Sequence, residues 1–264
     1  MSNSPLASYT RWSPNVTKPR RGSIRGVAIH CTAGGQDLPA RRFADMARFV
    51  TLDSKYGASC HYVVGGDGSI AQVCDEANRA WCTSSPIDHD LITIEVASNA
   101  RDPCVVNAEA LAALIRLLVD ICQRNGIPRL LWRGDKALMG QWERQNMVVH
   151  RWTANKACPG DYLYGKHGEI AAAVNQRLAA AEKEEDKEIT DMDELIERMT
   201  DEQAYTLLEK AMRHAETMLE PVWSRTGGHW AAAKDKGVMN GEGPERPVKR
   251  DELAAVLGRL GLLR

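Results

Sequence analysis

A histidine, a lysine and a cysteine lie within nine residues just past the middle of the chain, in a segment rich in turn formers. They are His150, Lys156 and Cys158. Imidazole nitrogen and thiolate sulfur are good ligands for divalent cations such as zinc, and a loop of this length can curl back so that both hold one ion. The ammonium group of Lys156 would then lie two residues from a ligand. The segment therefore predicts a metal site with a positive charge beside it.

A catalytic zinc site needs three protein ligands and a water, and the best third candidate lies far upstream. His30 follows the apolar run Val27–Ile29, just as His150 follows Val148–Val149. Two buried strands that each lead into a histidine are expected to be neighbours in one sheet and to share a functional edge. Taken singly, each histidine is typical of a buried residue without a ligand role. Together with Cys158, the pair favours a metal site.

The apolar patterns predict an α/β fold in which helices flank a mixed central β-sheet, followed by a small, mostly helical C-terminal domain. A hairpin is expected where Gly65–Gly68 separates two apolar runs, and Leu91–Ala97 is typical of a central strand. Helices are expected over about residues 38–51, after the N-cap Asn107, over residues 167–180 and after the capping box Thr200–Gln203. The predicted domain limits are 1–180 for the main domain, 181–190 for a charged segment (a linker or an extension of the preceding helix) and 191–264 for the C-terminal domain.

The composition is 44% hydrophobic and 26% charged with a net charge of -1, which is typical of soluble globular proteins. No dense cluster of Lys and Arg is present in the sequence, so nucleic acid is not an expected partner. No apolar stretch is long enough to span a bilayer, so no membrane partner is expected either. The N-terminal residues show no signal-peptide pattern, and the seven irregularly spaced cysteines favour reduced thiols. We therefore expect synthesis in the cytoplasm.

Together these residues resemble the zinc-dependent N-acetylmuramoyl-L-alanine amidases, a superfamily that includes phage endolysin amidases and peptidoglycan recognition proteins. The resemblance covers roughly residues 20–180. It rests on five elements in the same order, which are His30-Cys-Thr-Ala33, the hairpin His61–Gly68, Ala80-Trp81, Ile94-Glu95 and the loop from His150 to Cys158-Pro-Gly160. Any one of these elements would be weak evidence, whereas the ordered set is specific.

The resemblance implies a Zn²⁺ site formed by His30, His150 and Cys158, and bacterial peptidoglycan as the substrate. The implied reaction is hydrolysis of the amide between the lactyl group of N-acetylmuramic acid and L-alanine. In that reaction Glu95 would accept a proton from the attacking water, and Lys156 would stabilise the oxyanion.

Glu95 could instead point to solvent on an alternating strand. It shares its face with Thr93 and Ala97, however, and these small side chains are consistent with the floor of a cleft. Some phage members carry a tyrosine immediately before the hairpin histidine, where this chain has Cys60. Since a thiol cannot act as a phenol, the chain resembles the branch that relies on the strand glutamate.

Two further residues, His61 and Trp81, are candidates for substrate binding, and packing in the core is the alternative for both. The remaining histidines have no supporting neighbours in the sequence and are expected at the surface; they are His89, His167, His214 and His229. The cysteines other than Cys158 are expected to act as small hydrophobic residues.

The C-terminal unit resembles a single S-layer-homology repeat, at Trp230-Ala231, Gly237–Gly241 and Val248–Arg259. This resemblance implies binding to a secondary cell-wall polymer, and the alternative is a helical tail that packs on the main domain or forms a homodimer. The leading hypothesis is an endolysin-type peptidoglycan hydrolase, made in the bacterial cytoplasm and acting at the cell wall after release. The alternatives are a cytosolic muropeptide-recycling amidase and a non-catalytic peptidoglycan-binding protein on the same fold.

Overall fold

A six-stranded mixed sheet forms the centre of the computed structural model, which describes residues 3–53, 55, 57–198, 200 and 203–206. In spatial order its strands are β1 (Tyr9–Thr10), β5 (Ile70–Gln72), β4 (Tyr62–Val64), β7 (Leu91–Val96), β3 (Gly26–Cys31) and β8 (Met147–Val148). A separate antiparallel pair joins β2 (Val16–Thr17) and β6 (Arg79–Ala80). The predicted mixed sheet is confirmed, and the predicted hairpin is the antiparallel pair β4–β5.

Four neighbouring strands, β4, β7, β3 and β8, run parallel. Their carboxyl ends therefore meet at one edge of the sheet. The register of β3 with β7 places His30 opposite Glu95, and β8 pairs on the other side of β3 just before His150. The expectation that the strands leading to His30 and His150 are neighbours is confirmed.

Among the described residues, α1 (Ala40–Ala44), α2 (Ala47–Val50), α3 (Ala108–Arg124), α4 (His150–Thr153) and the N-terminal part of α5 (Gly160–Arg198) pack around this sheet. Short 3-10 helices cover Pro86–Asp90 and Lys136–Leu138. The predicted N-cap of α3 is confirmed, because the Asn107 side chain accepts a hydrogen bond from the Ala110 backbone N–H at 2.8 Å.

Side chains alternate between the two faces of β3 and β7, so that apolar residues lie on one face and the candidate site residues on the other. Val27 and Ile29 of β3 and Ile94 of β7 lie in the large buried core against α3. Since successive residues of a strand point to opposite faces, His30 and Glu95 project to the other side. The core thus holds the two strands in place while their polar residues face one common space.

Two helix predictions need correction, and the charged segment follows one of its two alternatives, the extension of the preceding helix. Residues 38–51 form two short helices because Met46 has an extended backbone (φ −65°, ψ 141°) that separates α1 from α2. The helix predicted over 167–180 begins at Gly160 and ends at Arg198, so the charged segment 181–190 is helical and continues α5. Lys and Glu are good helix formers, and no glycine or proline interrupts this run.

The chain divides into two units, Met1–Lys187 and Glu188–Arg264. In the second unit the predicted capping box is confirmed, with reciprocal hydrogen bonds between Thr200 and Gln203 of 3.0 and 3.3 Å. The S-layer-homology-like repeat lies outside the described residues, and of the tail proposed for dimerisation the helix after the capping box is described only over 203–206. Among the described helices, none combines the length and apolarity needed to cross a membrane.

Candidate metal centre

Three donor groups converge at the carboxyl edge of the sheet. One ring nitrogen from each of His30 and His150 and the sulfur of Cys158 all lie within 4.8 Å of one another. The Cys158 sulfur is 3.3 Å from His30 Nδ1, and the two imidazole rings are 5.1 Å apart at 61°. Around one tetrahedral zinc, with Zn–S near 2.3 Å and Zn–N near 2.0 Å, donor atoms are roughly 3.5 Å apart. The three residues can therefore hold one metal ion with little movement.

The loop after His150 is closed by Arg151, which sequence reasoning missed. Its backbone N–H donates to the Cys158 carbonyl at 3.0 Å, and its guanidinium donates to the Ala157 carbonyl at 2.7 Å and to Asp161 at 2.9 Å. The segment predicted as a loop thus begins with the one-turn helix α4, and its far end at Cys158 folds back onto Arg151. These contacts carry Cys158 back beside His150.

Gly160 fixes the other end of this loop. It has φ +79°, and a Cβ at this position would lie 2.6 Å from the Pro103 carbonyl oxygen. The neighbouring backbone N–H of Tyr162 donates to the same carbonyl at 3.0 Å. Only glycine accepts both the backbone conformation and this close approach, so Cys158 is anchored two residues before a rigid helix start.

The two histidines are neutral and have unused ring nitrogens. His30 Nε2 and His150 Nε2 are buried without a hydrogen-bond partner among the described residues. Burial, with a smaller contribution from the neighbouring His150 and His167, lowers the pKa of His30 to about 3. Burial and then the charge of Lys156 lower the pKa of His150. A metal binds neutral imidazole, and Nδ1 of His30 is the ring nitrogen that faces the Cys158 sulfur, so this donor set fits a divalent cation.

The Cys158 thiol contacts the thiol of Cys31, the residue after His30. This contact, followed by burial, raises the pKa of Cys158. In the absence of a nearby cation the thiol is therefore the favoured form, and a divalent cation would supply the charge that stabilises the thiolate. Cys31 was expected to be only a small hydrophobic residue, and spacing alone could not show its contact with Cys158.

Glu95 lies beside these donors and has an unsatisfied oxygen. Its Oε2 atom is buried without a hydrogen-bond partner in the described part of the chain. Burial raises its pKa to about 7, partly offset by the charge of Arg48. A carboxyl group with this pKa can both accept and release a proton near neutral pH, as general acid–base catalysis requires.

A second donor set shares His30. One ligand atom from each of His30, Cys82 and Glu95 also lies within 4.8 Å of the others. Cys82 was expected to be a small hydrophobic residue, and its position directly after Ala80-Trp81 is the one sequence signal that could have identified it. The geometry therefore offers two ways to bind a metal, and they differ in whether Glu95 is a ligand.

Lys156 lies in the closed loop with an exposed side chain. Its charge acts on the imidazole of His150, which places the ammonium group near the candidate metal centre. Exposure at the rim leaves it able to approach a bound substrate.

His61 is in the core and does not line the site. It is completely buried, and its ring nitrogens contact the backbone N–H of Thr93 at 3.0 Å and the carbonyl of Asn78 at 3.1 Å. The Arg20 guanidinium lies 2.8 Å from its Nε2. Burial lowers its pKa to about 3. A substrate cannot reach this ring, so the proposed substrate-binding role is replaced by a structural one.

Trp81 is half-buried, and its indole N–H donates to the Thr17 hydroxyl at 3.0 Å. Its polar group therefore stabilises the contact with β2, while part of its ring remains accessible to a ligand. A role in substrate binding stays a prediction.

His167 was expected at the surface, but it is completely buried against Trp132, with the two ring centroids 4.4 Å apart. Its Nδ1 lies 2.6 Å from the Leu163 carbonyl, and its Nε2 has no partner among the described residues. Burial lowers its pKa to about 4. The helical spacing of residues 163 and 167 was the signal that could have identified this local hydrogen bond.

The buried His167 predicts a pH-dependent stability. Below pH ~6.5 the unfolded chain binds a proton that the folded protein excludes until about pH 4. The free energy of unfolding therefore carries no penalty from His167 above pH ~6.5. It decreases as the pH falls towards 4, by about 3 kcal/mol in total. We expect urea unfolding of the metal-free His167→Gln variant to show a flatter pH dependence than the wild type over this range. The His89→Gln variant is the control, because His89 is partly exposed, and parallel curves for wild type and His167→Gln would contradict the assignment.

Comparison with known proteins gives one family. The family model described as N-acetylmuramoyl-L-alanine amidase matches residues 20–161, more than half of the chain. This segment contains all three candidate ligands together with Glu95 and Lys156. No curated protein sequence matches the chain.

Among solved structures, a mutant endolysin from Bacillus subtilis is 20% identical, with 63% of this chain and 97% of that chain covered and a TM-score of 0.45. The endolysin N-acetylmuramoyl-L-alanine amidase LysCS from Clostridium intestinale is 15% identical, with 64% and 97% covered and a TM-score of 0.40. The Drosophila peptidoglycan recognition protein SD is 21% identical, with 56% and 86% covered and a TM-score of 0.41. At these identities and TM-scores, no function transfers from those proteins to this chain.

Proposed function

This chain belongs to the N-acetylmuramoyl-L-alanine amidase family, and we propose that it hydrolyses the amide between the lactyl group of N-acetylmuramic acid and L-alanine in peptidoglycan. The observation that carries this proposal is the convergence of His30, His150 and Cys158 within 4.8 Å, beside the unsatisfied carboxylate of Glu95. Three donors and an adjacent proton acceptor are the components that metal-assisted amide hydrolysis needs.

The cofactor in this proposal is Zn²⁺, held by His30, His150 and Cys158. The support is chemical, since two neutral imidazoles and one thiol within 4.8 Å of one another form a donor set that zinc prefers. When bound, zinc supplies Lewis acidity, which polarises the scissile carbonyl and lowers the pKa of water.

Glu95 holds and moves the proton in this mechanism. Its carboxylate accepts a proton from the attacking water and delivers it to the departing amine of L-alanine, as general acid–base catalysis requires. Lys156 places a positive charge at the rim, where it stabilises the oxyanion more strongly in the transition state than in the ground state. The pairing of β3 with β7 fixes His30 and Glu95 opposite each other, so both side chains face the candidate metal centre.

We further propose an endolysin-type role at the bacterial cell wall, with residues 191–264 binding a secondary wall polymer or a second copy of the chain. The support is that residues 162–264 extend beyond the matched segment, and a second unit is useful to an enzyme that works on an insoluble polymer. A cytosolic recycling amidase and a non-catalytic peptidoglycan-binding protein are the alternatives.

Digestion of purified peptidoglycan tests this proposal. We expect the zinc-loaded protein to release new L-alanine amino termini from intact sacculi, with the stem peptides and the glycan strands identified by mass spectrometry. The soluble probe is N-acetylmuramoyl-tripeptide. Hydrolysis of the soluble probe without attack on sacculi would reject the endolysin role and favour recycling. Binding to sacculi without cleavage of either substrate would reject the enzyme altogether.

A further inference from the structure

A groove with a volume of about 450 Å³ lies at the end of the sheet opposite to the candidate metal centre. Arg25 and Asn146, which line it, directly precede β3 and β8, whereas His30 and His150 lie at or beyond the carboxyl ends of the same strands. Five residues of a strand span about 16 Å. A ligand in this groove therefore does not touch the metal ligands.

The groove carries more positive than negative charge. Arg25, Arg129 and Arg133 line it, and Glu143 is its one carboxylate. Within the described part of the chain, none of these three exposed guanidinium groups forms an ion pair. The proposed chemistry of the metal centre uses none of these three guanidinium groups, so they are available to bind another ligand.

The wall that carries two of the arginines is rigid. The buried side chain of Asn146 donates to the Arg129 carbonyl at 2.8 Å and accepts from the Leu131 N–H at 2.7 Å. The completely buried Gln145 accepts from the Arg133 N–H at 3.1 Å. Both arginine side chains therefore start from fixed backbone positions, which reduces the entropy lost when they bind a ligand.

The third arginine is oriented by an aromatic ring. The Arg25 guanidinium carbon lies 5.7 Å from the centre of the half-buried Trp142 ring. Stacking of this kind holds the planar guanidinium while leaving its N–H groups able to donate. The indole also offers an amphipathic surface against which a polyol or sugar can pack.

From these contacts we infer that the groove binds a phosphodiester-linked polyol chain, with the three arginines donating to successive phosphate groups. Guanidinium matches phosphate through paired N–H donors, and the excess of three positive charges over one negative charge complements a polyanion. A volume of 450 Å³ admits a short stretch of such a polymer. Nucleic acid is disfavoured because it needs a longer track of cationic side chains. This site goes beyond amide hydrolysis and does not depend on it.

Calorimetric titration of the full chain with a poly(glycerol phosphate) oligomer tests the inference. We expect saturable binding that weakens as the salt concentration rises, because these exposed charges are screened. The double variant Arg129→Gln/Arg133→Gln should bind about tenfold more weakly, through the loss of charge-assisted hydrogen bonds at exposed positions. Hydrolysis of soluble N-acetylmuramoyl-tripeptide should be unchanged in this variant.

The matched control is Arg116→Gln/Arg144→Gln, which removes the same charge from exposed arginines outside the groove. It should bind within about twofold of the wild type, since only diffuse charge is lost. Equal weakening in both double variants would overturn the site, as would tighter binding of single-stranded DNA. Equal binding of polyglutamate would overturn the preference for phosphate.

Discussion

Replacing Cys158 with alanine is expected to abolish zinc binding at stoichiometric concentrations and to reduce kcat/KM for amide hydrolysis about a thousandfold or more. The physical reason is the loss of one of three protein ligands. Zinc is expected to stabilise the charge of the transition state by several kcal/mol, and each 1.36 kcal/mol corresponds to about a tenfold change in rate. Metal content by mass spectrometry and hydrolysis of soluble N-acetylmuramoyl-tripeptide are the two measurements.

The matched control is Cys122→Ala, which removes a completely buried thiol from α3 and leaves the candidate metal centre intact. It should retain both zinc and activity. A Cys158→Ala protein that keeps one zinc per chain and activity within about tenfold of the wild type would show that Cys158 is not a ligand.

Replacing Glu95 with glutamine is expected to lower kcat by about 10² to 10⁴, the usual contribution of a general acid–base residue, while zinc content stays at one per chain. The amide has the shape of the carboxyl group but cannot accept the proton. Because the substrate still binds, KM should change little, and this separation of kcat from KM is what a merely structural role would not produce.

Glu109→Gln is the control for this substitution, since it neutralises an exposed carboxylate in the first turn of α3. No change in kcat is expected for it. If the Glu95→Gln protein kept the wild-type kcat, the carboxylate would have no part in proton transfer.

Zinc content in the same variants also decides between the two donor sets. If the metal is bound by His30, Cys82 and Glu95, then Glu95→Gln loses zinc and Cys158→Ala keeps it. If it is bound by His30, His150 and Cys158, as proposed, then Cys158→Ala loses zinc, whereas Glu95→Gln and Cys82→Ala retain it. The two donor sets share His30, so substitution of His30 cannot distinguish them.

Much of the site-bearing fold could be predicted because the relevant signals are local. Apolar runs that lead into His30 and His150 predict strands, and the alternation along β7 predicts which face Glu95 shares. The N-cap Asn107 and the hairpin around Gly65–Gly68 are short-range patterns with defined backbone geometry. These elements are formed by residues close together in the chain, so the sequence alone was sufficient for them.

Other features could not be predicted because they depend on contacts between distant residues. Nothing in the spacing of His61 shows that Thr93 and Asn78 satisfy its ring nitrogens, or that His167 is buried under Trp132. The contact of Cys31 with Cys158 and the approach of Cys82 to Glu95 also join separate segments. In each case the side chain alone was compatible with either a surface or a buried position.

By itself, the sequence determined the family, the mixed sheet and most of the residues able to do chemistry, because residue type and strand periodicity are properties of the chain. Only the tertiary structure decided which of those residues meet. The register of β3 with β7 set Glu95 beside His30, and the closure of the loop by Arg151 returned Cys158 to His150. Register and loop closure depend on packing and hydrogen bonds between remote segments, and no local pattern encodes them.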